Sequence, residues 1–349
     1  MATSPAPRDP VADLRRIAFL LERALESTYR VRAFRSAAAT LAALPPEEIA
    51  QHAQAGTLGR LKGLGDVTSR CVVESLEGKV PTYLQRLEEE HPGPVTAGGT
   101  RMRAALLGDC HSHSDWSDGG SPIPEMAVTA RELGHQYLVL TDHSPRLTVA
   151  NGLSPERLRR QLGILAALRP QLAPFRLLSG IEVDILEDGA LDQEDDLLAG
   201  LDVVVASVHS KLRMPAPEMT ARMLEAIANP HMDILGHCTG RYVRGRTRPE
   251  SQFDAEAVFA ACVEHGVAVE INCRPERLDP PRRLLRQAVE AGCLFSIDTD
   301  AHAPGQLDWQ PYGCERAEEC GVDPGRVVNT WPVTELLAWA ARHTHRPAG

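Results

Sequence analysis

The chain has 349 residues, 43% of them hydrophobic, which is enough for about two domains with full cores and excludes disorder as the default state. Its formal charge of −10 excludes attraction of nucleic acid by the net field, so any such contact needs a local basic patch. Aromatics make up only 4%, so the core must rest on Ala, Leu, Val and Ile.

Residues 1–10, rich in Pro, Ala and Ser, read as a loose tail and lack the apolar stretch of a signal peptide. Over 11–90 apolar residues recur three and four apart, as in LRRIAFLLERALESTYRVRAFRSAAATLAAL, with Gly63 and Gly65 between two helical stretches. This predicts a small all-helical domain. Residues 91–103 read as a Gly- and Pro-containing linker. Over 104–345 short apolar runs alternate with amphipathic stretches: AALLG near 104, YLVL at 137, FRLLSGIEV at 175, DVVVASV at 202, DILG at 233, VAVEI at 267 and LFSI at 294. Helical candidates such as PEMAVTARELG and RRLLRQAVEAG lie between them. Seven strand–helix units in one run predict an α/β domain whose parallel sheet closes, or nearly closes, into a barrel. No apolar run approaches the roughly 20 residues of a membrane span. The eight cysteines include no C-x-x-C pair, so free thiols in a reducing cytoplasm are expected.

The ends of the predicted strands carry the chemistry. His111, His113 and Asp118 follow the first, His143 the second, Glu182 ends the third, His209 follows the fourth, His237 the fifth, and Asp300 and His302 the seventh. The sixth ends in Glu270 and Asn272. Active sites of parallel β/α barrels lie at this C-terminal face. Residues two apart in extended backbone, such as His111 and His113 or Asp300 and His302, point the same way. A mixed nitrogen and oxygen set suits Zn²⁺, Mn²⁺ or Fe²⁺, and nine ligands are too many for one ion, so two or three ions are expected, with Glu182 a candidate bridge. A lone histidine is ordinarily a core or surface residue, and His52, His91, His135, His231, His265, His343 and His345 are read so. Six of the thirteen histidines just after strands are not explained that way.

The strings HSHSDWSDG, LTDHS, GIEVDILEDGALD, VVASVHS, MTARMLEAIANPHMDILGHCTGR, EINCRPERLD, TDAH and VVNTWP resemble the PHP (polymerase and histidinol phosphatase) family over about residues 105–340. The resemblance is greatest to the PHP domain at the C-terminus of bacterial X-family DNA polymerases. It implies a distorted seven-stranded (β/α)7 barrel with a trinuclear metal site. Carried over, the ligands fall on His111, His113, Asp118, His143, Glu182, His209, His237, Asp300 and His302. One ion would take His111, His113, Glu182 and Asp300, its neighbour would share Glu182 and take His209, and a third would take Asp118, His143 and His302. No ion is assigned to His237. His111, His113, Glu182, His209, Asp300 and His302 are expected to carry catalysis.

YRVRAFRSAAATLAALP and LKGLGDVTSRCVVESLEGKVPTYLQRL resemble the helical lyase domain that opens an X-family polymerase, with Gly63-Leu64-Gly65 as the hairpin of a helix–hairpin–helix. Backbone N–H groups there, with Lys62, Gly63 and Gly65 foremost, are expected to cradle a DNA phosphate without reading sequence. Arg30, Arg32, Arg35, Arg60 and Lys62 form the expected basic patch. Two departures limit the inheritance. No palm, fingers or thumb lie between the two parts, so DNA polymerisation is not expected. Cys71 stands where the lyase would have its Schiff-base lysine, and a thiol cannot form that imine.

The expected reaction is metal-dependent phosphoester hydrolysis. Of the rim cations Arg146, Lys211, Arg241 and Arg274, the last two are expected to bind substrate together with Asn272. Glu270, Asp109 and Asp142 are expected to support ligands. Cys110, Cys238 and Cys273 are discounted as nucleophiles, since no histidine near them is free of metal. DNA held by the helical domain and cut as by a 3′–5′ exonuclease, 3′-phosphatase or abasic-site nuclease is the first reading. A small-molecule phosphatase, such as one for histidinol phosphate, is the second. A non-enzymatic DNA-end scaffold is the third, disfavoured because a structural ion needs only about four ligands. Oligomeric state is not legible.

Overall fold

The computed structural model describes residues 6–344; residues 1–5 of the expected tail and residues 345–349, with His345, lie outside the described residues, as do the side chains of His343 and Thr344. The chain divides into two compact units after Pro94.

The first unit is helical. In α1 (Pro10–Arg23), Asp9 caps by accepting the Val11 N–H at 2.8 Å, and Leu14, Ile17, Ala18 and Leu21 form a buried stripe at helical spacing. That stripe faces α2 (Thr28–Ala42), which buries Phe34, Ala37, Ala38 and Leu41, and α4 (Asp66–Leu76). The short α3 (Pro46–Gln54) and α5 (Thr82–Glu90) complete the unit. Gly63 has φ +81°, and a Cβ there would sit 2.3 Å from Ser36 Oγ, so the turn before α4 needs glycine twice over.

The second unit carries seven parallel strands hydrogen-bonded in sequence order: β1 (Gly108–Asp109), β2 (Tyr137–Leu140), β3 (Arg176–Asp184), β4 (Val203–Ser207), β5 (Ile234–Leu235), β6 (Ala268–Asn272) and β7 (Leu294–Asp298). β7 returns to β1 through the Ser112–Ala301 bridge and the His113 N–H, which donates to Ala301 O at 2.8 Å. The barrel is thus nearly closed. Val203 and Val205 pack with Tyr137, Val139 and Ile234, together with Leu336 and Trp339 of the last helix, Val333–Thr344. Val204 and Ala206 face the opposite way, toward Met219, Met223 and Ile227 of the helix Ala216–Ile227. Each strand is buried on both faces, and this is why these runs read as continuously apolar.

The expected strand at AALLG is corrected: Thr100–Ala105 is a helix that buries Met102, and only Gly108–Asp109 pairs in the sheet. The Met102 N–H donates to Glu318 at 2.8 Å and the Thr96 hydroxyl to Glu315 at 2.6 Å, so the stretch expected as linker packs on the barrel unit from residue 95 onward. No described helix is long and apolar enough to cross a membrane.

Candidate metal centre

Glu182 lies in β3 itself, with its side chain fully buried, and five imidazoles surround it. Its Oε1 is 2.8 Å from His237 Nε2 and 3.2 Å from His209 Nε2. Its Oε2 is 2.8 Å from His143 Nδ1, 3.3 Å from His111 Nε2 and 3.6 Å from His113 Nε2. Asp300 adds a second carboxylate, 3.4 Å from His113 Nε2 and 3.9 Å from His111 Nε2. Asp118 lies 3.3 Å from His302 Nε2 and 3.5 Å from His143 Nε2. All nine side chains proposed as ligands therefore meet at one end of the barrel. Three subsets bring their ligand atoms within 4.8 Å of one another: His113, Asp118, His143 and His302; His111, His113 and Glu182; and His143, Glu182 and His209.

The surrounding residues fix these rings. Glu270 accepts from His111 Nδ1 at 2.5 Å and from the His237 backbone N–H at 2.6 Å, and Asn272 donates to both Glu270 and Asp300 at 3.2 Å. His302 Nδ1 is 2.9 Å from the Asp300 carbonyl. Asp142 accepts from Ser114, Ser117 and Gln161, holding the loop that presents His113 and Asp118. Asp109 accepts the Thr299 hydroxyl at 2.5 Å and the His111 N–H at 3.1 Å, and burial pushes its carboxyl up to about 6.

Electrostatics sharpen the picture. Burial raises the Glu182 carboxyl, but His209, His111 and His143 outweigh it and hold Glu182 well below the usual carboxylate range. Asp300 is lowered likewise, against burial, by His113, His111, Arg274 and Arg277. Burial, then His302 and His143, holds His113 neutral. Burial, then Arg277, lowers His237. Burial also opposes charge on His209, but Glu182 and Asp184 carry it up to about 9. Several buried atoms here make no hydrogen bond among the described residues: both ring nitrogens of His113 and His209, His111 Nε2, His237 Nδ1 and Glu182 Oε2. Buried polar atoms are rarely left so, and inward-facing, unpartnered imidazole nitrogens beside carboxylates fit divalent cations.

The rim cations separate into two kinds. Arg146 and Lys211 are exposed, beside Asp192 and Glu187. Arg241, expected to bind substrate, instead directs its guanidinium at the carbonyls of Arg277 and Leu278 and at Glu250, bracing the loop after β6. Arg274 reaches His302 Nδ1 at 2.9 Å and the Asp300 carbonyl at 3.2 Å. Two groups escaped the sequence reading. Asp184, 3.4 Å from His209 Nδ1, stands two residues past Glu182, and strand period alone would have placed it on the same face. Arg277 is buried and 3.2 Å from Asp300 Oδ2, and nothing in a loop arginine announces that. The eight cysteines are unpaired and buried, and burial raises the thiols of Cys110, Cys238 and Cys273 well above the usual range, away from nucleophilic thiolate.

In the helical unit, the expected basic patch shrinks. Arg35 forms a two-pronged pair with Glu22, and Arg30 binds Glu26 and the Tyr83 hydroxyl, leaving Arg32, Arg60 and Lys62 exposed. The Gly65 N–H is already taken by the Thr68 hydroxyl at 2.9 Å, so it is not open to a phosphate.

Residues 109–274 match the PHP domain family, and residues 6–80 match a helix-hairpin-helix domain family. The chain is 39% identical over 238 residues to "DNA polymerase/3'-5' exonuclease PolX" of Bacillus subtilis (strain 168), a match covering 68% of this chain but 41% of that protein. It is 30% identical over 231 residues to a "Probable phosphatase" of Acetivibrio thermocellus, covering 64% of this chain and 90% of the relative. A solved histidinol phosphate phosphatase from Lactococcus lactis, complexed with zinc, L-histidinol and phosphate, aligns at TM-score 0.44 and 17% identity, covering 62% of this chain and 95% of that one.

Proposed function

The chain belongs to the PHP family, and we propose that it is a metal-dependent phosphoric ester hydrolase acting at DNA ends, as a 3′–5′ exonuclease, 3′-phosphatase or abasic-site nuclease. The observation that carries the hydrolase reading is the ring of imidazoles with unpartnered nitrogens around Glu182. The helix-hairpin-helix match and the polymerase/exonuclease relative support DNA as substrate.

His111, His113, Glu182 and Asp300 would hold one ion, and Asp118, His143 and His302 another. His209 and His237 converge on Glu182 Oε1, which supports assigning His237, with His209, to a third. Divalent ions of the Zn²⁺, Mn²⁺ or Fe²⁺ class supply, when bound, a water that ionises near neutral pH and positive charge opposite phosphoryl oxygens. Glu270 keeps the proton of His111 on Nδ1, so that the Nε2 lone pair faces the cluster. His302 Nδ1 lies 2.9 Å from both the Asp300 carbonyl and the Arg274 guanidinium, which hold the ring in place with Nε2 toward Asp118. Arg274 offers a guanidinium at the rim of the cluster for a substrate phosphate, and Asn272 orients Asp300.

A phosphatase for small phosphomonoesters is the second reading, favoured by relatives named probable phosphatases that match over 90% of their length. Mn²⁺-loaded protein incubated with 5′-labelled single- and double-stranded DNA, and separately with histidinol phosphate, decides between them. Laddering or end-phosphate loss on DNA, abolished in His111→Ala, supports the first. Phosphate release from the small ester alone overturns it in favour of the second.

A further inference from the structure

The loop after β5 holds a feature that the metal centre does not use. RYVRGRTR, residues 241–248, carries four arginines and no acid in an acidic protein. Tyr242 and Arg248 pair antiparallel, with N–H to O distances of 3.0 Å in both directions, so the segment is a hairpin with Arg244, Gly245 and Arg246 at its exposed tip. Its base is clamped to the loop after β6. The Val243 N–H donates to Glu276 O at 2.6 Å, and the Tyr242 ring lies between the guanidinia of Arg248 at 4.4 Å and Arg277 at 4.7 Å. Arg277 in turn reaches Asp300, so the hairpin stands on the layer that carries the proposed ligands. Arg241 and Arg248 are spent internally, on loop carbonyls and on Gly240 O. Arg244 and Arg246 have no hydrogen-bond or ion-pair partner among the described residues.

Two strands away around the barrel, the segment at the end of β3 has the reverse charge in sequence. Residues 184–196, following β3, hold seven acids and no lysine or arginine. A cleft of about 430 Å³ beside His209 is lined by Asp184, Glu187 and Asp188, with Arg146 the one cation in its wall. Several acids of the β3 segment are paired with Arg146, Arg159 and Lys211, whereas Arg244 and Arg246 are unpaired among the described residues, so a polyanion at the mouth is drawn toward the β5 side. A single phosphate needs only the centre and Arg274. Two exposed, unpartnered arginines on a braced arm outside the centre fit further phosphates of the same chain.

We propose that the 241–248 hairpin is a clamp for the phosphate backbone of a polynucleotide, engaging phosphates next to the one at the metal centre. The proposal rests on the hydrolase reading above and names its substrate class as polymeric. The test compares the full chain with Arg244→Ala/Arg246→Ala, on a 5′-labelled single-stranded oligonucleotide and on bis(p-nitrophenyl) phosphate, over a series of salt concentrations. Losing two phosphate contacts lowers the slope of log KM against log salt by about 1.4, so from roughly 50 to 200 mM salt the wild-type KM for the oligonucleotide rises about sevenfold more than the variant's. Turnover of the small diester stays at the wild-type level, which also shows the variant is folded. Equal changes for both substrates, or an unchanged salt slope, overturn the clamp. So does polyglutamate competing as well as an oligonucleotide of equal charge. If the wild type releases product from the small diester and never cuts the oligonucleotide, the DNA-end reading fails by itself. Fluorescence anisotropy of the labelled oligonucleotide then decides the clamp: weaker binding by the variant sustains it, and equal binding overturns it.

Discussion

Glu182→Gln is the sharpest test of the proposed centre. The substitution keeps shape and removes one charge from a carboxylate that five imidazoles approach within 3.6 Å. Unit charges about 4 Å apart interact by about 4 kcal/mol at an effective dielectric constant near 20. An ion sharing this carboxylate loses at least that, roughly a thousandfold in affinity at about 1.4 kcal/mol per decade. Because Glu182 reaches both the His111 and the His209 sides, the loss falls on more than one ion. Elemental analysis after dialysis against a weak chelator is expected to fall from two or three ions per chain to at most one, with phosphoester turnover falling in step and the circular dichroism spectrum unchanged. A variant that keeps every ion and full turnover would refute the shared-carboxylate reasoning, whatever its stability.

Two further outcomes follow from the same coordinates. Glu270→Gln frees the His111 ring from its 2.5 Å partner and is expected to weaken metal binding by about 10- to 100-fold while leaving the fold intact, read by competition with a fluorescent chelator; unchanged affinity would show that another group orients the ring. His135 is buried, and burial, then Arg103, pushes its pKa down to about 3 from the ordinary 6.5. Between those values the unfolded chain binds a proton that the folded chain does not, so this stability is complete above pH 6.5 and is lost as pH falls, by about 1.4 kcal/mol per unit. Urea unfolding at pH 7.5 and 5.0 is expected to cost the wild type about 2 kcal/mol more than His135→Gln over that interval; equal losses would remove His135 as the cause.

Much of the barrel was legible because buried parallel strands are continuous apolar runs, and VVVAS or YLVL has no polar face to confuse the period. β1 was misread because only Gly108 and Asp109 pair, and the alanines before them favour the helix Thr100–Ala105 that the structure contains. Gathering the histidines needed only strand ends and two-residue spacing. What charged loops do with their charge was not legible. Arg241 and Arg277 look equally exposed in sequence, yet one braces backbone carbonyls and the other is buried against Asp300. In the helical unit, α1 places Glu22 to meet Arg35 of α2, a pairing between helices that no local pattern encodes, whereas Glu26 and Arg30 are four residues apart and could have been paired from the sequence.

The distances themselves separate a metal centre from a proton-linked salt-bridge network. A network would close His111, His113 and His209 onto their carboxylates at hydrogen-bond length, near 2.7–2.9 Å for a charged pair. The His111–Glu182, His113–Asp300, His113–Glu182 and His209–Glu182 separations are instead 3.3, 3.4, 3.6 and 3.2 Å. Two ligands each about 2.1 Å from one tetrahedral ion stand roughly 3.4 Å apart. Burial also works against a charged pair at His113, whose ring it keeps neutral, whereas at His209 burial is outweighed by Glu182 and Asp184, which favour the charged form. Pairs at that shorter length occur on both sides of the rings: Glu270 meets His111 Nδ1 on the outside, while Glu182 meets His237 Nε2 and His143 Nδ1 at 2.8 Å on the inside. The wider inner spacing at His111, His113 and His209, with the His111 ring held from outside by Glu270, is what cations rather than protons joining those three rings to Glu182 and Asp300 would produce.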